Sequence, residues 1–324
     1  SGLVGSEMCI RDSLKDYREG EKFVGTYLCK QKQILKTKAG KTYYSLTLQD
    51  KTGTADGKIW ELNNGIANFE PMDYIHCEGM VTSFQGNLQM NISRVRISDE
   101  GEYDPADYVP CTNKDVGEMF SRILKYVASV QNKYLRKILE MYFVENKEFV
   151  DAFKKHSAAK SVHHGFMGGL LEHTLSVTDM CQYFAEHYPM IHRDLLITAA
   201  LFHDMGKIQE ISDFPMNDYT DDGQLLGHIY IGARCMENAA AQIPNFPPKL
   251  KNELVHCILA HHGKMEFGSP KVPAIMEAMA LHMADNADAK LQTLTEVFTQ
   301  AGDNMGWLGF NRMFESNLRK TSEE

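Results

Sequence analysis

The sequence predicts two domains of different class, an all-β barrel followed by an all-α domain. Three observations carry that prediction. Between residues 23 and 97, apolar side chains alternate with polar ones and are interrupted by tight-turn residues. From Val116 onward, apolar residues recur at spacings of three and four. Between these regions lies DEGEYDPADYVP, residues 99–110, an acidic stretch with two prolines whose composition is that of a linker. A chain of 324 residues has room for two cores, since a domain takes roughly 150 residues. The division expected is therefore a barrel over residues 14–98, a linker over 99–111 and a helical domain over 112–324.

Residues 1–13 (SGLVGSEMCIRDS) show neither the basic start and apolar run of a signal peptide nor any clear period, and they read as a non-native or disordered extension. A first strand opens at Val24, Tyr27 and Leu28 and runs into a lysine-rich loop at Lys36, Lys38, Gly40 and Lys41. In the second, Tyr44, Leu46 and Leu48 point one way and Tyr43, Ser45 and Thr47 the other. Asp50-Lys51-Thr52-Gly53 reads as a tight turn into a third strand ending at Ile59-Trp60, and residues 62–69 read as a short helical link. Residues 74–84 and 87–97 form a hairpin around Gln85-Gly86. Five strands with a link between the third and fourth match the order of an OB-fold barrel. The stretch YYSLTLQDKTG followed by KIW resembles the second and third strands of nucleic-acid-binding OB domains.

The binding face of such a barrel carries the outward residues of strands two and three and the loops at their rim. Here these are Tyr43, Lys58 and Trp60, with Lys36, Lys38 and Lys41 in one loop and Phe84 in another. Between Lys22 and Lys58, eight lysines face only Asp50 and Asp56. Aromatics among lysines suit single strands, because bases stack on rings while ammonium groups follow phosphates. The competing reading is that Trp60 or Phe84 packs on the second domain and the lysines merely solubilise a loop.

In the second domain Val116, Met119, Phe120, Ile123, Leu124 and Val127 share one helical face, as do Leu135, Ile138, Leu139 and Tyr142. No strand is expected beyond this point. Trp307, Leu308, Phe310, Met313 and Phe314 have an amphipathic spacing that could cap the helical core or make a homo-oligomer contact.

Composition narrows the classes. The seven cysteines are scattered without a CxxC pair, which suggests neither a thiolate zinc site nor a disulfide framework. A net charge of −9 argues against nucleic-acid binding by bulk electrostatics, though not against a local basic surface. No window approaches the roughly 18 uninterrupted apolar residues of a membrane helix, so a cytoplasmic protein is expected.

Twelve of the thirteen histidines lie between His156 and His282. His173 sits on or beside an apolar stripe with Val177, Met180, Cys181 and Phe184, and His203 shares a face with Leu196, Ala199 and Ala200. His261 and His262 end a helix bearing Leu254, Ile258 and Leu259, and Asp285 continues a face with Ala278, Leu281 and His282. A lone inward histidine is more often structural. An aspartate on a buried face is costly unless compensated, however, and a metal cation is the usual compensation where imidazoles converge. Glu172-His173, His203-Asp204, His228, His261-His262 and Asp285 therefore point to one metal centre.

The order H…HD…D resembles the HD superfamily of metal-dependent phosphohydrolases. His173, His203, Asp204 and Asp285 align with its four ligands by order, type and helical setting. The tail HDMGK, the Gly-rich approach to EHT and the context HMADNADAK strengthen the resemblance. His228 and the pair His261-His262 match the additional ligands of binuclear members. The resemblance implies two divalent metal ions bridged by Asp204, one also held by His173, His203 and Asp285, the other by His228, His261 and His262. The bland alternative is one ion, with the extra histidines contacting phosphate. Such a donor set suits Mn2+, Fe2+, Co2+, Ni2+ or Zn2+ better than Mg2+, and the resemblance favours Mn2+. Lys207, one turn past His203, is placed to stabilise a phosphate, or is simply a solvated lysine. His163, His164, Gly165, Gly168 and Gly169 could present imidazoles and amides to a phosphate, or permit close packing.

A barrel, a linker and a helical domain with SVHHGFMGGLLEHT and ALFHDMGK together resemble the YhaM family of bacterial 3′-to-5′ exoribonucleases, from about residue 14 to the end. That resemblance implies manganese-dependent shortening of single-stranded RNA from its 3′ end, with some activity on single-stranded DNA; Asp204, as the bridge, and Lys207, by its position, are the catalytic candidates. The rival readings are an HD nucleotidase or cyclic-dinucleotide phosphodiesterase with an accessory barrel, and a non-catalytic nucleic-acid-binding protein.

Overall fold

The computed structural model describes residues 13–84, 86–160 and 164–322. They divide into two compact units, the first running to Cys111 and including Phe214–Met216, the second made of Thr112–Asp213 and the residues from Asn217 onward.

The first unit is built on β1 (Lys22–Lys36), β2 (Thr42–Asp50), β3 (Gly53–Ile59), β4 (Tyr74–Phe84) and β5 (Asn87–Ile97). They close in the order β1-β2-β3-β5-β4, with β3 and β5 parallel and the other neighbours antiparallel. This is the five-stranded order of an OB-fold. The long β1 serves two neighbours: Lys22 to Leu28 pair with β4, Leu28 to Lys36 with β2, and the register shifts between Cys29 and Gln31. Such a bulge bends one strand enough to join both sides of a barrel. Alternation then sorts the side chains. Leu46, Leu48, Ile59, Ile75, Cys77, Val81, Met90 and Ile92 fill the interior with Phe23 and Phe69.

Residues 62–69 form no helix. The Ala67 amide donates to the Val95 carbonyl and the Val95 amide to the Gly65 carbonyl, each at 2.9 Å. Asn63 folds the segment locally, accepting the Gly65 amide at 2.8 Å. Backbone groups committed to β5 and to an Asn side chain are lost to helical pairing. The acidic stretch after β5 also differs from a free linker. Tyr103 stacks on Tyr74 at 4.0 Å, and Tyr108 meets the Tyr74 ring edge-on.

The second unit carries α1 (Val116–Ser129), α2 (Lys133–Glu140), α3 (Lys147–Lys155), α4 (Gly169–His187), α5 (Arg193–Phe202), α6 (Lys207–Glu210), α7 (Asp221–Ala241), α8 (Pro248–Ala260) and α9 (Met276–Gln300). Asp115, Asn132, Asn146 and Thr220 cap the starts of α1, α2, α3 and α7 by accepting backbone amides. Every residue of α5 from Leu195 to Phe202 is buried. A helix apolar on all sides belongs at the centre of its domain, and α4, α8 and α9 pack around it. The C-terminal residues expected to continue the helical pattern instead form a hairpin, β6 (Trp307–Asn311) paired with β7 (Ser316–Arg319). Gly309 has a φ of +92° and the Asn311 side chain accepts the Met313 amide, so turn chemistry outweighs the amphipathic spacing here. No described helix is long and apolar enough to cross a membrane.

Gly79 lies at a register shift between β4 and β5, where a Cβ would fall 2.0 Å from the Asn91 carbonyl oxygen. Gly79→Val should therefore destabilise the barrel by at least about 1–3 kcal/mol. Urea denaturation followed by Trp60 fluorescence in a Trp307→Phe background would measure it, and an unchanged midpoint would refute this account of the bulge.

Candidate metal centre

The apolar α5 carries the chain through the core and ends by placing His203 and Asp204 there, 0% and 2% exposed. The next residue but one must be small. A Cβ on Gly206 would sit 2.1 Å from the His228 carbonyl oxygen, so only glycine lets this turn approach α7. Within α7 the helix breaks at Gly227, whose φ of 72° and ψ of 152° are non-helical, and the break turns His228 toward Asp204. His173 comes from the first turns of α4, His261 and His262 from the end of α8, and Asp285 from the middle of α9.

The structure brings all seven residues together around Asp204, and its two oxygens face different partners. Near Oδ2 lie His173 Nε2 at 3.3 Å and His203 Nε2 at 3.5 Å. Asp285 Oδ1 completes this half, 3.2 Å from His173 Nε2 and 3.9 Å from His203 Nε2. Near Oδ1 lie His228 Nε2 and His261 Nε2, each at 3.6 Å. His262 joins those two in a group whose donor atoms all lie within 4.8 Å of one another. Asp204 Oδ1, His228 Nε2 and His261 Nε2 are buried without a hydrogen-bond partner. Three orphaned polar atoms cost about 1–3 kcal/mol each, and all three point at one spot. A cation there would satisfy them together, so the donor set fits divalent metal.

Each imidazole turns Nε2 inward because its Nδ1 is engaged elsewhere. His203 Nδ1 donates to the Ala200 carbonyl and His261 Nδ1 to the Ile258 carbonyl, both at 2.7 Å. His262 Nδ1 donates to the Phe267 carbonyl at 2.8 Å. His228 Nδ1 and its backbone amide both reach Glu210 Oε1, at 2.9 Å. His173 Nδ1 donates to Asp288 Oδ2 at 2.6 Å, and the same carboxylate is bonded by Ser176 and by His164 Nε2 at 2.9 Å. Such outer partners set the tautomer and orientation of a ligand histidine. The sequence reading missed Asp288 and Glu210. Asp288 had a signal, three residues after Asp285 on one face of α9, matched by His173 and Ser176 three apart on α4.

Burial pushes the pKa of His203 and of His262 down to about 4, with the neighbouring imidazoles helping in both cases. Both are therefore neutral near pH 7, the state a metal ligand needs. Burial alone would raise the carboxyl of Asp204, but Lys207 and the surrounding imidazoles hold it well below the usual carboxylate range. Asp285 is likewise lowered, against its burial, by the hydrogen bond from His173. At neutral pH both are anionic.

The remaining candidates are placed as follows. Lys207 Nζ contacts Asp204 Oδ2 at 2.6 Å and is mostly buried. His164, expected near phosphate, instead lies buried behind His173 with its Nε2 on Asp288. His163 lies outside the described residues. On the barrel, Tyr43 and Trp60 stack at 4.5 Å between centroids and 27° between planes. Trp60 Nε1 donates to Asn91 Oδ1 at 3.0 Å, a support that sequence gave no sign of. Lys58 Nζ lies 2.8 Å from Ser45 Oγ and 2.5 Å from Asp56 Oδ1, and Lys41 pairs with Glu61 at 3.2 Å. Lys36, Lys38 and Phe84 are exposed.

The HD domain family matches residues 170–290, which contain all seven residues around Asp204. A protein named 3′-5′ exoribonuclease YhaM from Geobacillus sp. (strain WCH70) is 32% identical over 257 residues, covering 79% of this chain and 78% of the relative. Its namesake from Bacillus subtilis (strain 168) is 32% identical over 262 residues, covering 79% and 81%. Among solved structures, the second OB-fold domain of replication protein A from Methanococcus maripaludis aligns with 26% of this chain at 18% identity and a TM-score of 0.20, too slight a likeness to carry weight.

If Asp204 bridges two ions, as the resemblance implies, Asp204→Asn should abolish binding of both and Asp285→Asn of one, as read by elemental analysis after dialysis against Mn2+. Two ions retained by Asp204→Asn would refute the bridge. Asp288→Asn and Glu210→Gln should weaken metal affinity by about 10–100-fold without changing stoichiometry, measurable by calorimetric titration.

Proposed function

The chain belongs to the YhaM family of 3′-5′ exoribonucleases, and from that premise we propose that it shortens single-stranded RNA from the 3′ end by metal-assisted phosphodiester hydrolysis in the cytoplasm. The observation that carries the reading is the meeting of two ligand sets at the two oxygens of Asp204. His173, His203, Asp204 and Asp285 on one side and His228, His261 and His262 on the other would hold divalent metal, Mn2+ by preference with Co2+, Fe2+, Ni2+ or Zn2+ as substitutes, which would activate water at neutral pH and offset charge on the phosphate.

The chain's own groups do the rest. Neutral His203 and His262 offer nitrogen lone pairs, and anionic Asp204 and Asp285 balance positive charge in a buried place. Lys207 keeps an ammonium on Asp204, a charge that would stabilise a phosphate oxygen brought to the centre. On the barrel, the Tyr43–Trp60 stack gives a fixed aromatic surface for a base, with Lys36, Lys38, Lys41 and Lys58 for the backbone and Phe84 at the tip of a hairpin. Single-stranded DNA, which presents the same phosphates and stacking faces, is a secondary substrate.

With 5′-labelled RNA and Mn2+ the products should form a ladder shortening from the 3′ end. A single internal cut would reject exonuclease action. Chelation, or His203→Ala, should reduce the rate by at least about 100-fold, a loss on the scale of a removed electrostatic stabiliser; near-normal activity in His203→Ala would show that the hydrolytic centre lies elsewhere. Trp60→Ala should raise the Kd for RNA by about tenfold, since a stacked base contributes about 1–3 kcal/mol, and an unchanged Kd would remove the barrel surface from the reading.

A further inference from the structure

The imidazoles around Asp204 are not equally covered. His173, His203 and His261 are 2%, 0% and 0% exposed, whereas His262 is only partly buried and the His228 side chain retains 11%. The Asp285 side chain on the other half keeps 14%, so the flank of His228 and His262 is one of the open edges of the centre. One structured loop grows out of that flank, residues 263–269, and it begins at the metal-facing pair itself.

The loop is fixed from several directions. The Lys264 carbonyl accepts the amides of Phe267 at 3.1 Å and Ser269 at 3.3 Å, and the Met265 carbonyl accepts the Gly268 amide at 3.0 Å. Ser269 is buried, its Oγ 2.9 Å from the Leu259 carbonyl on α8. At the other end Gly263 has a φ of +77°, and a Cβ there would strike the ring of His282, whose Nδ1 bonds the His261 carbonyl at 2.9 Å. The Phe267 carbonyl is clamped by His262 Nδ1. Yet Phe267 is 54% exposed, with the Lys264 ammonium over one face of its ring, 5.2 Å from the centroid, and paired with Glu266 at 3.1 Å. Folding leaves this phenyl in water while its backbone is tied to a metal-facing histidine. An exposed ring fixed through its backbone, with a cation over one face and the other face free to stack, at an open edge of the proposed hydrolytic centre, suits a nucleotide: base on the free face, phosphate near an ammonium it would share with Glu266.

We propose that Phe267, with Lys264 beside it, forms a stacking subsite for the 3′-terminal base of the strand, fixed to the metal centre through His262. The proposal rests on the exoribonuclease reading above. The subsite positions the scissile phosphate by holding the base next to it, and it discriminates ends that carry a base from ends that do not.

The test uses the full chain loaded with Mn2+ and two 5′-labelled RNA oligonucleotides, one ending in an ordinary ribonucleotide and one whose terminal nucleotide is abasic. Phe267→Ala should raise KM for the ordinary end by about tenfold or more, change KM for the abasic end less than about twofold, and leave bound metal unchanged. Phe267→Trp should restore KM for the ordinary end. An equal effect of Phe267→Ala on both substrates, or none on either, would overturn the subsite while leaving the exoribonuclease reading intact. A wild-type chain that shortened neither RNA would overturn both.

Discussion

The carboxylate of Asp204 lies 2% exposed, between two groups of imidazoles that approach its two oxygens from opposite sides. A buried anion is tolerated only where positive charge or strong donors surround it. Much of the helical unit meets that requirement. The uniformly apolar α5 brings the residue into the core, the glycine at 206 lets the following turn reach α7, and the break at Gly227 turns His228 to face it. Lys207 supplies a close cationic partner at 2.6 Å, on the same oxygen that His173 and His203 approach. Oδ1 has no hydrogen-bond partner of its own and faces two similarly orphaned imidazole nitrogens. That asymmetry within one carboxylate is the strongest local argument for a cation.

Around this centre a second set of contacts decides which nitrogen each histidine presents. Three imidazoles lean on backbone carbonyls and two on carboxylates, Asp288 and Glu210. Asp288 gathers His173, His164 and Ser176 onto one side chain, which ties α4 to α9 at the level of the metal-facing atoms. The barrel surface has another character. Its Tyr43–Trp60 stack is supported by a polar contact to Asn91, and Lys36, Lys38 and Lys41 are exposed while Lys58 is mostly buried against Ser45 and Asp56. Rigid, buried chemistry in one unit and a shallow aromatic surface in the other suit hydrolysis and strand holding respectively.

Sequence by itself determined the class of each unit and the residues that could ligate metal. Alternation with period two marks inward Leu46 and Leu48 apart from outward Tyr43 and Ser45, because neighbouring strand residues face opposite ways. Polar His173, His203 and Asp285 stood out because they interrupt apolar helical faces, where a charge needs a reason to be. Their order along the chain pointed to the HD superfamily, and the barrel ahead of them with the stretches SVHHGFMGGLLEHT and ALFHDMGK to the family. Tertiary structure alone decided the rest. Residues 62–69 became an irregular segment because their amides are spent on β5, and Trp307 to Asn311 became a strand through turn chemistry rather than apolar spacing. His164 moved behind the centre, and Asp288 and Glu210 entered it, through contacts spanning 124, 115 and 18 residues of sequence. Periodicity reports which face of its own element a side chain occupies. It carries no information on which nitrogen of a ring turns inward or what a distant carboxylate holds, since those are set by packing between elements that only the folded chain brings together.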